Sequence, residues 1–377
     1  MTTRHRDSEH PVGRTLGGHA AAQLLRLCET AGLDDAEGTE HARTLIAALG
    51  PVADRPLHLP PPDRSFLSDD HTPVEFSLSF EGSAAPTLRV LLEPGCGTTD
   101  LAQNGRAGLA VVRAMGQRWG FDTGRLDELE DLFLPASPEG SFALWCALEL
   151  TPGEAPKVKV YLNPAANGAE RSAETVREAL QRLGHQRAFT ALPPADRHLF
   201  FALDLGAWED PRAKVYLAHQ GLTAAEAACL SRAPGDLDPA QVRSFFRTAA
   251  GRAPGTAESG RSLRPFQSCH AFTETASGLP SGFTLYVPVR EHAPDDKEAL
   301  ARALTVLGRF GMDPAPLLRS LPAVTSRRLE DGAGLIAYLA FAHQEGRPPR
   351  VIVYLSSEAY RVRPPLAAPY RQVEPVH

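Results

Sequence analysis

The chain lacks the marks of several protein classes. Its five cysteines, Cys28, Cys96, Cys146, Cys229 and Cys269, are scattered, with no CxxC pair. That excludes a disulfide framework and a zinc pattern, and the expected state is buried thiols in a reducing compartment. No apolar run approaches the roughly 20 residues of a membrane span. The opening residues, MTTRHRDSEHPVGR, carry no apolar core of a secretory signal, so a cytoplasmic protein is expected. Excess positive charge is also missing. A net charge of −6 argues against a general binder of nucleic acid or membrane surfaces, since both favour a basic face. There is no Walker loop, HExxH or GxSxG. Gly95-Cys96-Gly97 lacks the third glycine of a dinucleotide fingerprint and follows a strand pair, so it reads as a turn.

What the chain does have is repetition. The run Arg212-Ala213-Lys214-Val215-Tyr216-Leu217 alternates strictly. In a β-strand that puts Arg212, Lys214 and Tyr216 on one face and the apolar residues on the other. Lys157, Lys159 and Tyr161 repeat the pattern. Paired alternating runs separated by short polar breaks predict five hairpins: 74–80 with 88–94, 141–150 with 157–164, 198–205 with 212–219, 269–275 with 282–288, and 334–342 with 350–357. Apolar residues at helical spacing predict helices over 19–32, 38–50, 100–118, 123–134, 172–185, 223–232, 238–250, 295–310 and 313–321. The unit of helices followed by a hairpin recurs five times at roughly 55–70 residues, and a fixed period overrides the two-domain prior that 377 residues would suggest.

Hairpins give antiparallel pairs, and ten antiparallel strands leave open edges unless the sheet closes. The apolar strand faces are continuous and need amphipathic helices to cover them. The expected architecture is therefore α/β of the α+β kind. It is a closed ten-stranded antiparallel β-barrel of five ααββ repeats, with helices outside and the polar strand faces lining a lumen. Ten strands enclose more space than side chains fill in an eight-stranded barrel. Residues 1–377 form one barrel domain, with tails at 1–15 and 364–377 and a mobile loop at 251–263. The expected lumen residues are Glu75, Arg89, Trp145, Lys159, Tyr161, His198, Arg212, Lys214, Tyr216, Tyr286, Tyr338, Arg350 and Tyr354.

In order along the chain stand Thr72-Pro73-Val74-Glu75 with Ser77, Arg89 with Glu93-Pro94, Lys159-Val160-Tyr161, Arg212-Ala213-Lys214-Val215-Tyr216, Leu285-Tyr286-Val287-Pro288, and Arg350 to Tyr354-Leu355. This series resembles the aromatic prenyltransferases of the α-β-β-α barrel, in the bacterial form of the dimethylallyltryptophan synthase type. The resemblance implies that Arg89, Lys159, Arg212, Lys214 and Arg350 hold the diphosphate of an allylic donor. It implies that Tyr161, Tyr216, Tyr286, Tyr354 and Tyr338 shield the carbocation, and that Glu75 accepts the hydrogen bond of an indole N–H. Trp145, Arg197, His198 and Thr284 are the candidate acceptor contacts, with Arg197 facing outward if its strand is regular. Thr284 replaces a glutamine of fungal members. A fungal lysine tied to proton handling at indole C4 is absent near Leu150-Thr151.

The implied reaction joins dimethylallyl diphosphate to L-tryptophan, with C6 as the expected position. Other indole positions, tyrosine or another phenol are the near alternatives. The base for the ring proton stays open among Glu75, His198, Glu93 and released diphosphate. The Asp-Asp-x-x-Asp signature that binds allylic diphosphates through metal is missing, because Asp34-Asp35, Asp69-Asp70 and Asp295-Asp296 each lack the third member. No metal or other cofactor is expected to be required, and the protein is expected to be a monomer or homodimer. The alternative of a different class is a non-enzymatic basic and aromatic barrel that binds single-stranded nucleic acid, against which the acidic net charge and Glu75 speak.

Overall fold

The computed structural model describes residues 14–98, 100–206, 211–233, 237–251 and 264–366. Its alternating runs form ten strands: β1 (Val74–Glu81), β2 (Thr87–Leu92), β3 (Leu144–Leu150), β4 (Lys157–Leu162), β5 (Arg197–Leu205), β6 (Arg212–His219), β7 (Phe266–Phe272), β8 (Gly282–Val287), β9 (Ile336–Gln344) and β10 (Arg350–Ser356). Each pairs antiparallel with its neighbours, and β1 pairs with β10 to close the barrel. Closure removes the sheet edges that an open ten-stranded sheet would expose.

The outward faces are apolar. Val74, Phe76, Leu78 and Phe80 of β1 join Leu24 and Leu27 of the helix Leu16–Ala31 and Leu45 of the helix Asp35–Leu49 in one buried cluster. Comparable faces of the other strands extend that cluster around the barrel. The main hydrophobic core is thus a sleeve between sheet and helices, and the barrel interior is left for charged and aromatic side chains with a few small apolar clusters. The helix starts carry ordinary caps. Thr15 accepts from the Gly18 N–H, and Asp34 and Glu37 form a reciprocal capping box.

Some boundaries differ from the sequence reading. The amino-terminal tail is shorter than expected, because Thr15 caps the first helix and bridges to Pro56. At the other end, residues 364–366 lie outside any helix or strand, and the Leu366 N–H donates to the Pro294 carbonyl. Of the expected loop at 251–263, only Gly251 lies within the described residues. The helix expected over 123–134 is two short ones, Gly124–Asp127 and Glu130–Phe133. β7 begins at Phe266, three positions before Cys269. Its outward face carries Ser268 and His270, which hides the apolar alternation. Both are buried: Ser268 Oγ lies 3.1 Å from His270 Nε2 and 2.8 Å from His219 Nε2, while His270 Nδ1 has no hydrogen-bond partner. Four of the cysteines are buried free thiols, but Cys229 is exposed.

Candidate active site

The strand register sorts the inward side chains into two layers. Near the hairpin turns lie Arg89 on β2, Lys159 on β4, Arg212 and Lys214 on β6, and Arg350 on β10. Two residues further along β4 and β6, about 7 Å at strand rise, come Tyr161 and Tyr216. Tyr286, Tyr354 and Tyr338 continue the second layer around the wall. Neighbouring ring centroids are 5.6 Å apart for Tyr161 and Tyr216, 5.9 Å for Tyr216 and Tyr286, 6.0 Å for Tyr286 and Tyr354, and 6.2 Å for Tyr354 and Tyr338. The five tyrosines form an unbroken arc. A two-residue period on each strand is enough to build it once the barrel closes.

Four of these five cations are held by two carboxylates that the sequence reading did not single out. Arg89 Nη2 lies 2.6 Å from Glu149 Oε2 on β3. Asp204 on β5 lies 2.6 Å from Arg212 Nη2, 2.6 Å from Lys214 Nζ and 3.6 Å from Lys159 Nζ. The Arg212 Nη1–H also donates to Gln344 Oε1 at 3.2 Å. Removing one partner of a buried charge pair costs on the order of 3–5 kcal/mol, so these two carboxylates make the crowding of cations tolerable. Arg89 pulls the Glu149 carboxyl down to about 2, against the effect of burial, with Lys159 assisting. Despite its burial, Asp204 is held far below the carboxylate range by Lys214, Lys159 and Arg212. The signal was available, since Asp204 and Glu149 face Arg212 and Arg89 in register.

Beyond the tyrosines the chamber widens to about 770 Å³, lined by Glu75, Trp145, Phe200, Gln267, Arg290 and the tyrosine arc. A smaller niche of about 80 Å³ among Arg89, Lys159 and Arg212 adjoins it, with Tyr161, Tyr354 and Leu91 on both walls. Glu75 is only 6 % exposed. Burial pushes its carboxyl up to about 7, while Arg290 and Arg264 pull it down and Asp69 pushes it up. Its Oε1 has no hydrogen-bond partner within the protein.

Arg290 was not anticipated. It sits on the short helix Val289–His292 just after β8, and is 1 % exposed. Its guanidinium carbon lies 4.6 Å from the Tyr338 ring centroid, and Nη1 is 3.5 Å from Asp69. Neither Nε nor Nη1 has a hydrogen-bond partner. The strand pattern ends at Pro288, and nothing in the residues after it marks an inward arginine.

Two acceptor candidates change places. β5 carries a bulge between His198 and Phe200. One extra residue flips the side-chain alternation before it. Arg197 therefore pairs with Ala218 and shares the inward register, whereas His198 pairs with the outward Leu217. His198 stacks on Phe189 of the outer layer with centroids 5.8 Å apart, and burial with Arg177 lowers its imidazolium stability. Both residues border the chamber rim, but Arg197 is the one directed to it by register. Trp145 is an inner wall residue stacked on Phe142 at 4.2 Å. Thr284 faces inward between Cys269 and Ala342, one pleat from Tyr286, and does not line the wide chamber. Glu93 is tied to Ser65 Oγ at 2.6 Å and Asn104 Nδ2 at 3.1 Å and does not itself line the chamber.

The chemistry of this arrangement is that of an anion pocket next to a cation-stabilising one. Arg and Lys donate charge-assisted bonds to phosphate oxygens, and aromatic faces stabilise a neighbouring cation by about 0.5–2 kcal/mol each. Among the described residues no group of three or more His, Cys, Asp or Glu side chains gathers as a metal ligand set.

Known proteins share this construction. No significant match is found among curated protein sequences. Among solved structures, prenyltransferase PriB in ternary complex with L-tryptophan and dimethylallyl thiolodiphosphate is 59 % identical, with a TM-score of 0.90 over 94 % of this chain and 99 % of that one. The 5-dimethylallyl tryptophan synthase of Streptomyces coelicolor, in complex with DMASPP and Trp, is 61 % identical, with a TM-score of 0.88 over 95 % and 99 %. The 6-dimethylallyltryptophan synthase of Micromonospora olivasterospora, in complex with DMASPP and Trp, is 40 % identical, with a TM-score of 0.85 over 94 % and 100 %. The family model for tryptophan dimethylallyltransferase matches residues 19–316. With its closed barrel, its cation layer and its tyrosine arc, the chain belongs to the tryptophan dimethylallyltransferase family.

Proposed function

We propose that the chain transfers the dimethylallyl group of dimethylallyl diphosphate to the benzo ring of L-tryptophan, with no requirement for a metal ion. The observation that carries this reading is the two-layer chamber: five cations, then an arc of five tyrosines, then Glu75. Arg89, Lys159, Arg212, Lys214 and Arg350 receive the diphosphate. As the allylic C–O bond breaks, negative charge grows on the leaving group, and preorganised cations stabilise it most at that point. They do what a metal ion does in enzymes that carry acidic metal motifs.

Tyr161, Tyr216, Tyr286, Tyr354 and Tyr338 then shield the allyl cation and keep water from it. Glu75 accepts the indole N–H and raises the ring's nucleophilicity. Arg197 at the rim is the contact we assign to the amino-acid end of the acceptor. Attack gives an arenium ion that loses its ring proton. We assign that proton to the released diphosphate when a benzo-ring carbon is attacked, because His198 faces the outer layer and Glu93 is held by Ser65 and Asn104. The basic strands face an enclosed, countercharged chamber, which is the wrong surface for a nucleic-acid strand.

C6 is our reading for the position of attack, and C5 is the second reading, favoured by the 61 % identity to the Streptomyces coelicolor enzyme. The Streptomyces coelicolor and Micromonospora olivasterospora relatives carry a benzo-ring position in their names. The test is incubation with dimethylallyl diphosphate and L-tryptophan, with and without EDTA, and NMR location of the new C–C bond. A benzo-ring product at equal rate in both samples is expected. No product with any indole or phenol would overturn the activity, and loss with EDTA would overturn the metal-free mechanism.

A further inference from the structure

Asp204 stands out among the carboxylates of the barrel because it touches three of the five cations at once. One oxygen, Oδ2, lies 2.6 Å from Arg212 Nη2 and 2.6 Å from Lys214 Nζ. The other, Oδ1, accepts from Lys214 Nζ at 2.9 Å and lies 3.6 Å from Lys159 Nζ. Lys214 is 8 % exposed, the most deeply buried of the five. The charged and titratable groups that act on it are Asp204 from β5, Lys159 from β4, Glu149 from β3, Cys269 from β7 and Arg212 on its own strand. Burial opposes its charge, Asp204 supports it, and Lys159 and Arg212 oppose it again, so Lys214 holds its proton well below the ordinary lysine range even with Asp204 beside it.

These groups do not titrate alike. A guanidinium keeps its proton in any protein setting, whereas a buried ammonium sheds one when its surroundings turn hostile. Without Asp204, Lys214 faces two cations in a water-poor niche, with Glu149 already bound to Arg89. Lys214 is then the group that relieves the crowding, by giving its proton to solvent. We propose that Asp204 is a positioning residue whose charge keeps Lys214 protonated, so that the site meets the donor diphosphate with all five cations charged. The inference rests on reading those cations as the donor site. When Asp204 is neutral, diphosphate binding must first draw one proton from solvent onto Lys214 Nζ.

The test is the donor KM of Asp204→Asn divided by that of the wild type, measured across pH. The ratio cancels the donor's own ionisation. It is expected to climb by up to about tenfold per pH unit between about pH 6 and pH 9. In Asp204→Asn combined with Lys214→Arg the ratio is expected to stay flat, because the guanidinium has no proton to lose. A merely structural role for Asp204 would give a ratio independent of pH, and that result, whatever the size of the ratio, overturns the proposal. So does an equal slope in the double variant. Should Asp204→Asn not fold, NMR of lysine-labelled wild-type protein decides the matter, with Lys214 Nζ identified by its loss in Lys214→Arg. An ammonium signal at about pH 8 is expected, and a neutral amine there overturns the proposal. Lys214→Met separates the two levels of the argument. An unchanged donor KM in that variant defeats the donor-site reading and this inference with it. A raised donor KM with a flat Asp204→Asn ratio defeats this inference alone.

Discussion

At the hairpin-turn end of the barrel four of the five inward cations are already matched with two carboxylates, Arg89 with Glu149 and Arg212, Lys214 and Lys159 sharing Asp204, which leaves an excess of positive charge. At the other end, Glu75 Oε1 and Arg290 Nε and Nη1 are buried with no hydrogen-bond partner. A buried polar atom without a partner costs roughly 1–3 kcal/mol. The first end is therefore preorganised for a highly charged ligand whose binding replaces one set of ion pairs by another. The second end holds unmet hydrogen-bonding capacity that the polar edge of an aromatic acceptor completes. The tyrosine arc lies between and separates charge from ring. Stability has been conceded at the acceptor end, where one N–H contact must orient a flat, mostly apolar molecule.

If this contrast is right, variants should fail by end. The largest loss is expected for Lys214→Met, with kcat/KM down about 10³-fold, as for loss of a donor aimed at transition-state charge. Most of it should fall on the donor. Glu75→Gln should fold and lose about 10²-fold in turnover, the usual scale for a general-base or hydrogen-bond acceptor role. Near-normal turnover would remove Glu75 from the account.

The pH profile sharpens the same point. Glu75 must be a carboxylate to accept the indole N–H, and burial raises it to about 7. The plot of kcat/KM for the acceptor should therefore fall as pH drops through about 7. Arg290→Gln removes a charge that favours the carboxylate, so this acid limb should move to higher pH. Movement to lower pH would contradict the pairing. Tyr216→Leu should raise the share of donor lost to water as dimethylallyl alcohol by a factor of a few to about 30, on the 0.5–2 kcal/mol scale of one aromatic face. The smallest effect is at the rim: Arg197→Ala should raise tryptophan KM a few-fold and His198→Ala should not, given the bulge.

Most of the fold was legible because its strands alternate so strictly that the five hairpins and their inward faces could be read directly. The cation layer and the tyrosine arc followed from that period, as Lys159-Val160-Tyr161 and Lys214-Val215-Tyr216 illustrate. The failures came where the period was broken or absent. The β5 bulge exchanged Arg197 and His198, and no residue there announces an extra position. The early start of β7 was hidden because polar Ser268 and His270 occupy its outward face, linked through Ser268 Oγ to each other and to His219. Arg290 lies on a single helical turn outside any strand, where alternation has nothing to say. Asp204 and Glu149 were not singled out, because partner choice depends on barrel closure and register.

The central claim, that one end of the chamber serves the donor and the other the acceptor, is tested most directly by steady-state KM values for both substrates in Lys214→Met and Glu75→Gln. The account predicts a crossed pattern: Lys214→Met raises KM for dimethylallyl diphosphate and leaves that for tryptophan near wild type, and Glu75→Gln does the reverse. Both variants raising both KM values equally would contradict it.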